Sequence, residues 1–429
     1  MLRIASLFLI AAAAGLGQTA PQTLTLSQAV ATALQNHPRI AAAQNLEQAA
    51  GQRVVEARAP YYPTVNAEVT AMQANPLSRL GAGFITTSAL FSHEGDGFTA
   101  NQLISDFGRT KNLVASSSLQ AQAASQTTQA TRFDITFGVN RAYYGVLQAQ
   151  ALVRVAEETV KTRQTLVDQI TALTNAQLKS MVDLSFAKVN LSEAQLLLIR
   201  AQDNLKQAFA DLSRAMGQDV SPAQYSLLED PTKPSLPPDA DALINTAIQN
   251  RPELADLRLR FEASQKFETA EHDLKKPNVT LVAVAGALPY LDQSPRVAPE
   301  GYEGVALNLE IPIFNGHAFT AREKAAHYES LAANQRLRDL RQQVEHDVQV
   351  AWLGASTALQ RMPVTAALVA QSQLSLTLAE GRYNLGLASI VEITQAQLNL
   401  TQAQIEDVNA GYDYQSAFAA LQYTLGALR

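Results

Sequence analysis

A repeat held at constant offset constrains this chain more than any single motif does. The segment LQNHPRIAAAQ at 34–44 faces IQNRPELADLR at 248–258. At an offset of 214 the correspondence runs without gaps from Pro38/Pro252 to Pro63/Pro277, followed by Val65/Val279. Farther along the offset becomes 209. Ala142/Ala351, Ser180/Ser389, Asn190/Asn399, Leu191/Leu400, Ala208/Ala417, Phe209/Phe418, Leu212/Leu421 and Gly217/Gly426 then align without a gap. Chance supplies a few such pairs, but not one register over so long a stretch, so the chain carries two copies of one plan. The first copy spans 24–217 and the second 239–426. The intervening 218–238 reads as a linker, because EDPTKPSLPPD at 229–239 contains four prolines.

Each copy orders its elements alike. A short helix ends at Asn36-His37-Pro38 or Asn250-Arg251-Pro252, where the residue before proline is pushed out of helical space. A second helix runs to Pro63 or Pro277. The period then changes from helical to two. In TVNAEVTAM, Val65, Ala67, Val69 and Ala71 alternate with Thr64, Asn66, Glu68 and Thr70. In VALNLEIPI, Val305, Leu307, Leu309, Ile311 and Ile313 alternate with Ala306, Asn308, Glu310 and Pro312. These are strands with one apolar and one polar face. Their expected partners are 97–107 and 279–287, giving strand pairs within 64–107 and 279–314. Gly108 and Gly316 supply backbone freedom where each strand pair meets a very long helix. Pro363 lies inside the second of these helices and is expected to kink it.

Residues 184–216 show what the long helices pack against. Leucine falls at 184, 191, 198, 205 and 212, and alanine at 187, 194, 201, 208 and 215. Two registers of step seven make an a/d seam, so the helix wraps left-handedly around a neighbour. The alanine row lets the two axes approach closely, and its small hydrophobic contribution per residue requires a long contact. Five heptads extend roughly 50 Å at ~1.5 Å per residue.

Four strands per chain pose a closure problem. Strands of this length match membrane-spanning β-strands, yet four cannot close a barrel, and open sheet edges are not tolerated in lipid. Closed barrels of this kind start at about eight strands. The chain therefore either assembles, to eight strands as a dimer or twelve as a trimer, or keeps its hairpins in water.

The first residues, MLRIASLFLIAAAAGLGQTA, read as a secretory signal over 1–17: Arg3, an apolar run from Ile4 to Ala14, then small residues. Pro21 disfavours cleavage after Ala20, which leaves a site near Gly17. A buried N-terminal helix is the other reading of this stretch. Beyond it no apolar run approaches the roughly 18–20 residues of a membrane helix. The chain has no cysteine, which excludes disulfides, thiolate metal sites, thiol catalysis and acylation at a processing-site cysteine. A net charge of −6 argues against a nucleic-acid partner, which needs clustered Lys and Arg.

Five segments together carry a family pattern: ALQNHPRIAAAQ, VVEARAPYYPTVNAEVTA, ISDFGRTKN, RAYYGVLQAQ and RYNLGLASIVEITQAQLNL. They stand in family order and are duplicated as the family is. The chain resembles the TolC-like outer-membrane efflux proteins over nearly all of its mature length. The resemblance implies a mainly helical fold with a membrane β-barrel: a homotrimer whose twelve strands close one barrel in outer-membrane lipid. A long α-helical coiled-coil barrel would cross the periplasm. It implies a passive conduit of a tripartite efflux or type I secretion system, with a periplasmic adaptor and an inner-membrane pump as partners and no cofactor.

The resemblance also locates the periplasmic tip, at the turns 174–181 and 383–389. Asp183 and Glu392 match acidic pore-entrance positions, and Tyr383 matches a gate tyrosine. The adaptor-contacting tips are Asn175, Ala176 and Gln177 in the first copy and Gly386, Leu387, Ala388 and Ser389 in the second. Two positions depart from the pattern: Ala388 stands where an arginine is common, and Gln177 replaces the glycine that Gly386 retains. An acid at a helix start is also commonly a solvated first-turn charge, so Asp183 and Glu392 have that reading as well.

Catalytic chemistry has no signature in the sequence. The six histidines, His37, His93, His272, His317, His327 and His346, show no metal-ligand spacing, and no G-x-S-x-G, Walker or dinucleotide motif occurs. SDFGR at 105–109 lacks every companion a kinase DFG needs. A secreted or periplasmic coiled-coil filament is the rival from another class, but a filament has no reason to repeat strand pairs in both halves. A single-chain porin needs many more strands than four.

Overall fold

The computed structural model describes residues 22–75, 79–82, 85–89, 92–219, 225–229, 235–292 and 300–428. The expected signal segment 1–17 lies outside them. The first copy contains α1 (Leu26–Asn36), α2 (Pro38–Arg58), β2 (Thr64–Met72), β5 (His93–Ser105), α3 (Arg109–Asn175) and α4 (Met181–Ala215). The second contains α5 (Asp241–Asn250), α6 (Pro252–His272), β7 (Asn278–Leu291), β8 (Gly301–Glu310), α7 (Ala318–Asn384) and α8 (Ile390–Thr424). Corresponding helices match in length: 21 residues for α2 and α6, 67 for α3 and α7, and 35 for α4 and α8. A 67-residue helix extends about 100 Å. α7 runs as one helix through Pro363.

The strands β2, β5, β7 and β8 form one antiparallel sheet in that order. Directly paired residues share a face, so the register defines both faces. Val65 pairs with Ala100, Ala100 with Ala283, and Ala283 with Val305. Ala67, Phe98 and Ala285 continue this apolar face, as do Leu281 with Leu307 and Val279 with Leu309. The opposite face carries Thr64, Asn66, Glu68, Thr99, Asn101, Thr280, Asn308 and Glu310, with Val282 and Val284 among them. In the single chain Val65, Val69, Phe98, Val305, Leu307 and Leu309 are exposed. Among the described residues nothing pairs with the outer edges of β2 and β8. β8 stops at Glu310, two residues before Pro312, which has no N–H to donate.

A second hairpin, β3 (Arg79–Ala82) with β4 (Ile85–Ala89), sits between β2 and β5. Its strands are short and hold no clean alternation, which is why the sequence does not announce them. The described part of the expected linker is also structured. Its β6 (Tyr225–Leu227) pairs in parallel with β1 (Gln22–Leu24). The buried Tyr143 hydroxyl on α3 lies 2.9 Å from the Leu24 carbonyl and 2.7 Å from that of Leu228, donating to one at a time. Trp352 on α7 donates to the Pro237 carbonyl at 2.9 Å. The described residues 225–229 and 235–239 thus pack on α3 and α7.

At each strand-to-helix junction two consecutive residues are left-handed: Phe107 and Gly108 before α3, Gly316 and His317 before α7. One glycine serves each pair, but at opposite positions, so Gly108 corresponds structurally to His317. Asp106 stabilises the first junction, accepting from the Thr110 amide at 2.6 Å and the Gly108 amide at 3.2 Å.

Near the sheet the helices lie side by side in the order α2, α3, α6, α7; toward the far end the order is α4, α3, α8, α7. Ala187, Ala194 and Ala201 are buried, and Ala201 packs with Val153 and Ala156 of α3. The alanine seam thus packs α4 against its own hairpin partner. At the level of α1 the core is larger, built on Tyr143, Val139, Val146, Phe209 and Leu212.

Candidate pore entrance

The two hairpin tips are built alike. α3 ends with the Leu178 amide donating to the Leu173 carbonyl at 2.8 Å and the Gln177 amide to that of Thr174 at 2.9 Å. α7 ends with Leu387 donating to Arg382 at 2.8 Å and Gly386 to Tyr383 at 2.9 Å. Both are Schellman closures, which require a left-handed residue just past the helix. Gly386 supplies it at φ 75° without steric cost, while Gln177 supplies it at φ 60° despite its Cβ. The departure at Gln177 therefore leaves the turn's geometry unchanged. Ser180 then caps α4, its hydroxyl accepting from the Val182 amide at 3.0 Å.

Asp183 and Glu392 are each the third residue of their helix, where a carboxylate favours the helix dipole. Asp183 is half-buried and Glu392 exposed. Glu392 accepts from Arg382 Nε at 3.0 Å across the α7–α8 turn. Arg382 also reaches toward the Leu387 carbonyl, at 3.4 Å. Tyr383 is buried, its ring under the Lys179 ammonium at 3.9 Å from the centroid. Its hydroxyl is enclosed and has no hydrogen-bond partner among the described residues. Burial pushes the phenol's pKa upward, and the Asp183 carboxylate adds to that. Tyr383 packs with Leu166, Ile170, Leu184, Ile390 and Ile393, the cluster that joins the two hairpins. The structure thus brings Asp183, Lys179 and Tyr383 together and places the Arg382–Glu392 pair on the same hairpin end.

Asn175, Ala176, Gln177, Gly386, Leu387 and Ser389 are exposed at the tips, and Ala388 is half-buried. Leu178, Met181, Val182 and Leu385 stand exposed beside them. Sequence reasoning missed these apolar residues, together with Lys179 and Arg382. Ala388 lacks the expected guanidinium, but Lys179 is its counterpart in the first copy, and Arg382 supplies the ion pair from the preceding helix. Glu392 lies ten positions after Arg382, a spacing that means nothing until the turn closes.

The seam between hairpins differs from the seams within them. α3 meets α8 through Gln148 to Asn409 at 2.9 Å and a Thr159–Thr401 hydroxyl contact at 3.4 Å. The Gln397 side-chain amide oxygen, Oε1, is buried there with no hydrogen-bond partner among the described residues. A groove of about 330 Å³ opens along this seam, lined by Thr162, Glu380, Tyr383 and Gln397 among others.

The sequence matches the outer membrane efflux protein family over residues 29–218 and 243–427, which takes in both copies. The chain belongs to this family. Among curated relatives, outer membrane protein TolC of Salmonella enteritidis is 22% identical over 96% of this chain and 83% of its own length. The probable efflux pump outer membrane protein TtgC of Pseudomonas putida is 26% identical over 88% and 78%. Among solved structures, CusC superposes with a TM-score of 0.81 at 19% identity, covering 96% of this chain and 95% of its own. VceC from Vibrio cholerae gives 0.78 at 19% identity, over 94% and 96%. CusC and VceC share the fold from end to end. The protein is an outer-membrane export channel with a large periplasmic helical part, and its family is one of channels rather than enzymes.

Proposed function

We propose that three copies close into a single duct, twelve strands in the outer membrane above a helical tube across the periplasm. The observation that carries this reading is that the two lateral edges of the chain are both open and different. One edge is first-copy material, β2, α2 and α4; the other is β8 and α7 from the second copy. α4 leaves Val182, Phe186, Val189, Leu196 and Ile199 exposed, and α7 leaves Val350, Leu353, Val364, Leu374 and Leu378 exposed. Joining the first-copy edge of one chain to the second-copy edge of the next is a heterologous contact, and such contacts generate rings when the rotation closes. Closure also pairs β2 with β8 of the neighbour, which removes the edges lipid does not tolerate. The apolar sheet face then contacts lipid and the polar face lines the lumen.

The tips face the cell interior. Their exposed Leu178, Leu385 and Leu387 offer apolar knobs to the helical hairpins of a periplasmic adaptor, which couples the duct to an inner-membrane pump. Six carboxylates from Asp183 and Glu392 ring the entrance, and such rings concentrate cations. A relative named alkaline protease secretion protein AprF of Pseudomonas aeruginosa and one named toluene efflux pump outer membrane protein TtgC of P. putida show the two uses within reach: type I protein secretion and small-molecule efflux. The duct is passive in either. Reconstitution into planar bilayers tests the reading. Stable cation-preferring pores are expected, with the preference reduced when Asp183 and Glu392 are both changed to alanine. Protein that inserts without conducting refutes it.

A further inference from the structure

Just below the sheet, α6 and α7 carry a feature the channel reading does not use. Each helix bears a glutamate and a histidine one turn apart, in ETAEH at 268–272 and EKAAH at 323–327. The helices run antiparallel, so the two motifs meet reciprocally. His272 Nδ1 lies 2.7 Å from Glu323 Oε1, and His327 Nδ1 lies 2.8 Å from Glu268 Oε1. Two of the six histidines therefore stand diagonally across one helix pair, each with Nδ1 against a carboxylate and half of its side chain open to solvent.

We propose that His272 and His327 form a binding site for a divalent transition-metal ion of the Zn²⁺ or Cu²⁺ class that clips α6 to α7. Imidazole suits these ions. A ligating histidine commonly donates its other ring N–H to a carboxylate, which fixes the tautomer and leaves the far nitrogen as ligand. Both imidazoles have that partner in place, so Nε2 of each is the free donor. Among the described residues no three His, Cys, Asp or Glu groups already converge on one point. The site therefore closes on the ion as each imidazole swings together with the carboxylate at its Nδ1, and water fills the remaining positions. Lys275 pairs with the other oxygen of Glu323, Oε2, and so does not occupy the atom that faces His272. On the flank, Arg322 is taken up by Glu271 through contacts of 2.6 and 2.9 Å.

The first copy supplies an internal comparison. Its corresponding residues are Val54, Arg58, Val114 and Ser118, none of which is both ionisable and metal-ligating. The cluster is thus not a requirement of the tube wall, which is built without it in the other half of the same chain. Bound metal would cross-link the helix pair where the helical tube meets the sheet.

Calorimetric titration of the detergent-purified full-length protein with ZnCl₂, after treatment with chelator, tests the proposal. One ion per chain is expected. H272Q and H327Q should each weaken binding at least about tenfold, and E268Q or E323Q by about 10–100-fold, as loss of a supporting carboxylate commonly does. Copper EPR should report two nitrogen ligands in the wild type and one in either histidine variant. Zinc should raise the melting temperature of the wild type but not of H272Q. All four side chains are at least partly solvent-exposed, so the variants should elute as the wild-type assembly. Absence of saturable zinc uptake, or equal affinity in wild type and both histidine variants, overturns the proposal.

Discussion

Enlarging Ala194 to leucine should damage the tube more than trimming its neighbour Leu198 to alanine. Ala187 and Ala194 are each 1% exposed and Ala201 is 7% exposed, all in the seam of α4 against α3. A leucine at 194 adds three carbons where the Cβ is already enclosed. Overpacking of this kind typically costs about 1–3 kcal/mol per site, because close-packed interiors yield by shifting backbone or forcing poor rotamers. Leu198 is only half-buried, so its truncation loses part of the ~2–5 kcal/mol of a fully buried leucine, and the surrounding water fills the space. In an assembly of three chains either cost recurs three times, but the half-buried Leu198 site can relax toward solvent and the enclosed Ala194 site cannot. The assay is the temperature at which the detergent-solubilised assembly dissociates on a heat-modifiable gel. A194L should dissociate well below wild type and L198A close to it. If A194L assembles and melts like wild type, the helix axes are not held close by the alanine row.

Other perturbations test separate parts of the account. Gln177→Gly should stabilise the first tip turn by about 1–2 kcal/mol, the cost of a left-handed non-glycine residue; slower amide exchange at Leu178 would report it, and a loss of stability would contradict it. Tyr383→Phe should leave thermal stability within about 1 kcal/mol of wild type, since the hydroxyl has no partner among the described residues. A large loss would mean that the hydroxyl bonds to a neighbouring chain. Arg382→Ala frees Glu392 from its ion pair and should raise resting conductance of single pores in planar bilayers; unchanged conductance would remove the pair from the gate. Tyr412 donates to Glu229 at 2.9 Å, and burial with that carboxylate pushes its pKa up from 10 to about 12. The folded state therefore favours the neutral phenol. That stabilisation is fully present below pH 10 and is lost as pH rises from about 10 to about 12. The stability lost between about pH 10 and about pH 12, followed by circular dichroism, should be smaller in Tyr412→Phe than in the wild type, and an identical profile would contradict the assignment.

The parts of the fold readable in the sequence are those fixed by local periodicity and by the repeat. Val305, Leu307 and Leu309 alternate without interruption, and both faces of the sheet follow from that period. The tip turns were legible through the family resemblance, which Gly386 carries, and Gln177 could be placed only by its counterpart Gly386. β1, β6 and the β3–β4 hairpin were not legible. Three- to five-residue strands carry too few residues to show a period, and β1 and β6 exist because they pair with each other across some 200 residues of chain. The site was harder for a related reason. Lys179 over Tyr383, and Arg382 against Glu392, are contacts made by turn closure and hairpin packing, which side-chain spacing along one helix does not encode. Likewise His272 and His327 show no ligand spacing along the chain, since their meeting depends on the antiparallel register of α6 and α7.

The central claim is that a chain with two unlike open edges closes as a ring of three. Native mass measurement of the detergent-extracted protein tests this most directly, and the absence of cysteine excludes disulfide-linked artefacts. Three chains per particle, recovered from the outer-membrane fraction, is the predicted result. A stable water-soluble monomer, with β2 and β8 open to solvent, would contradict it.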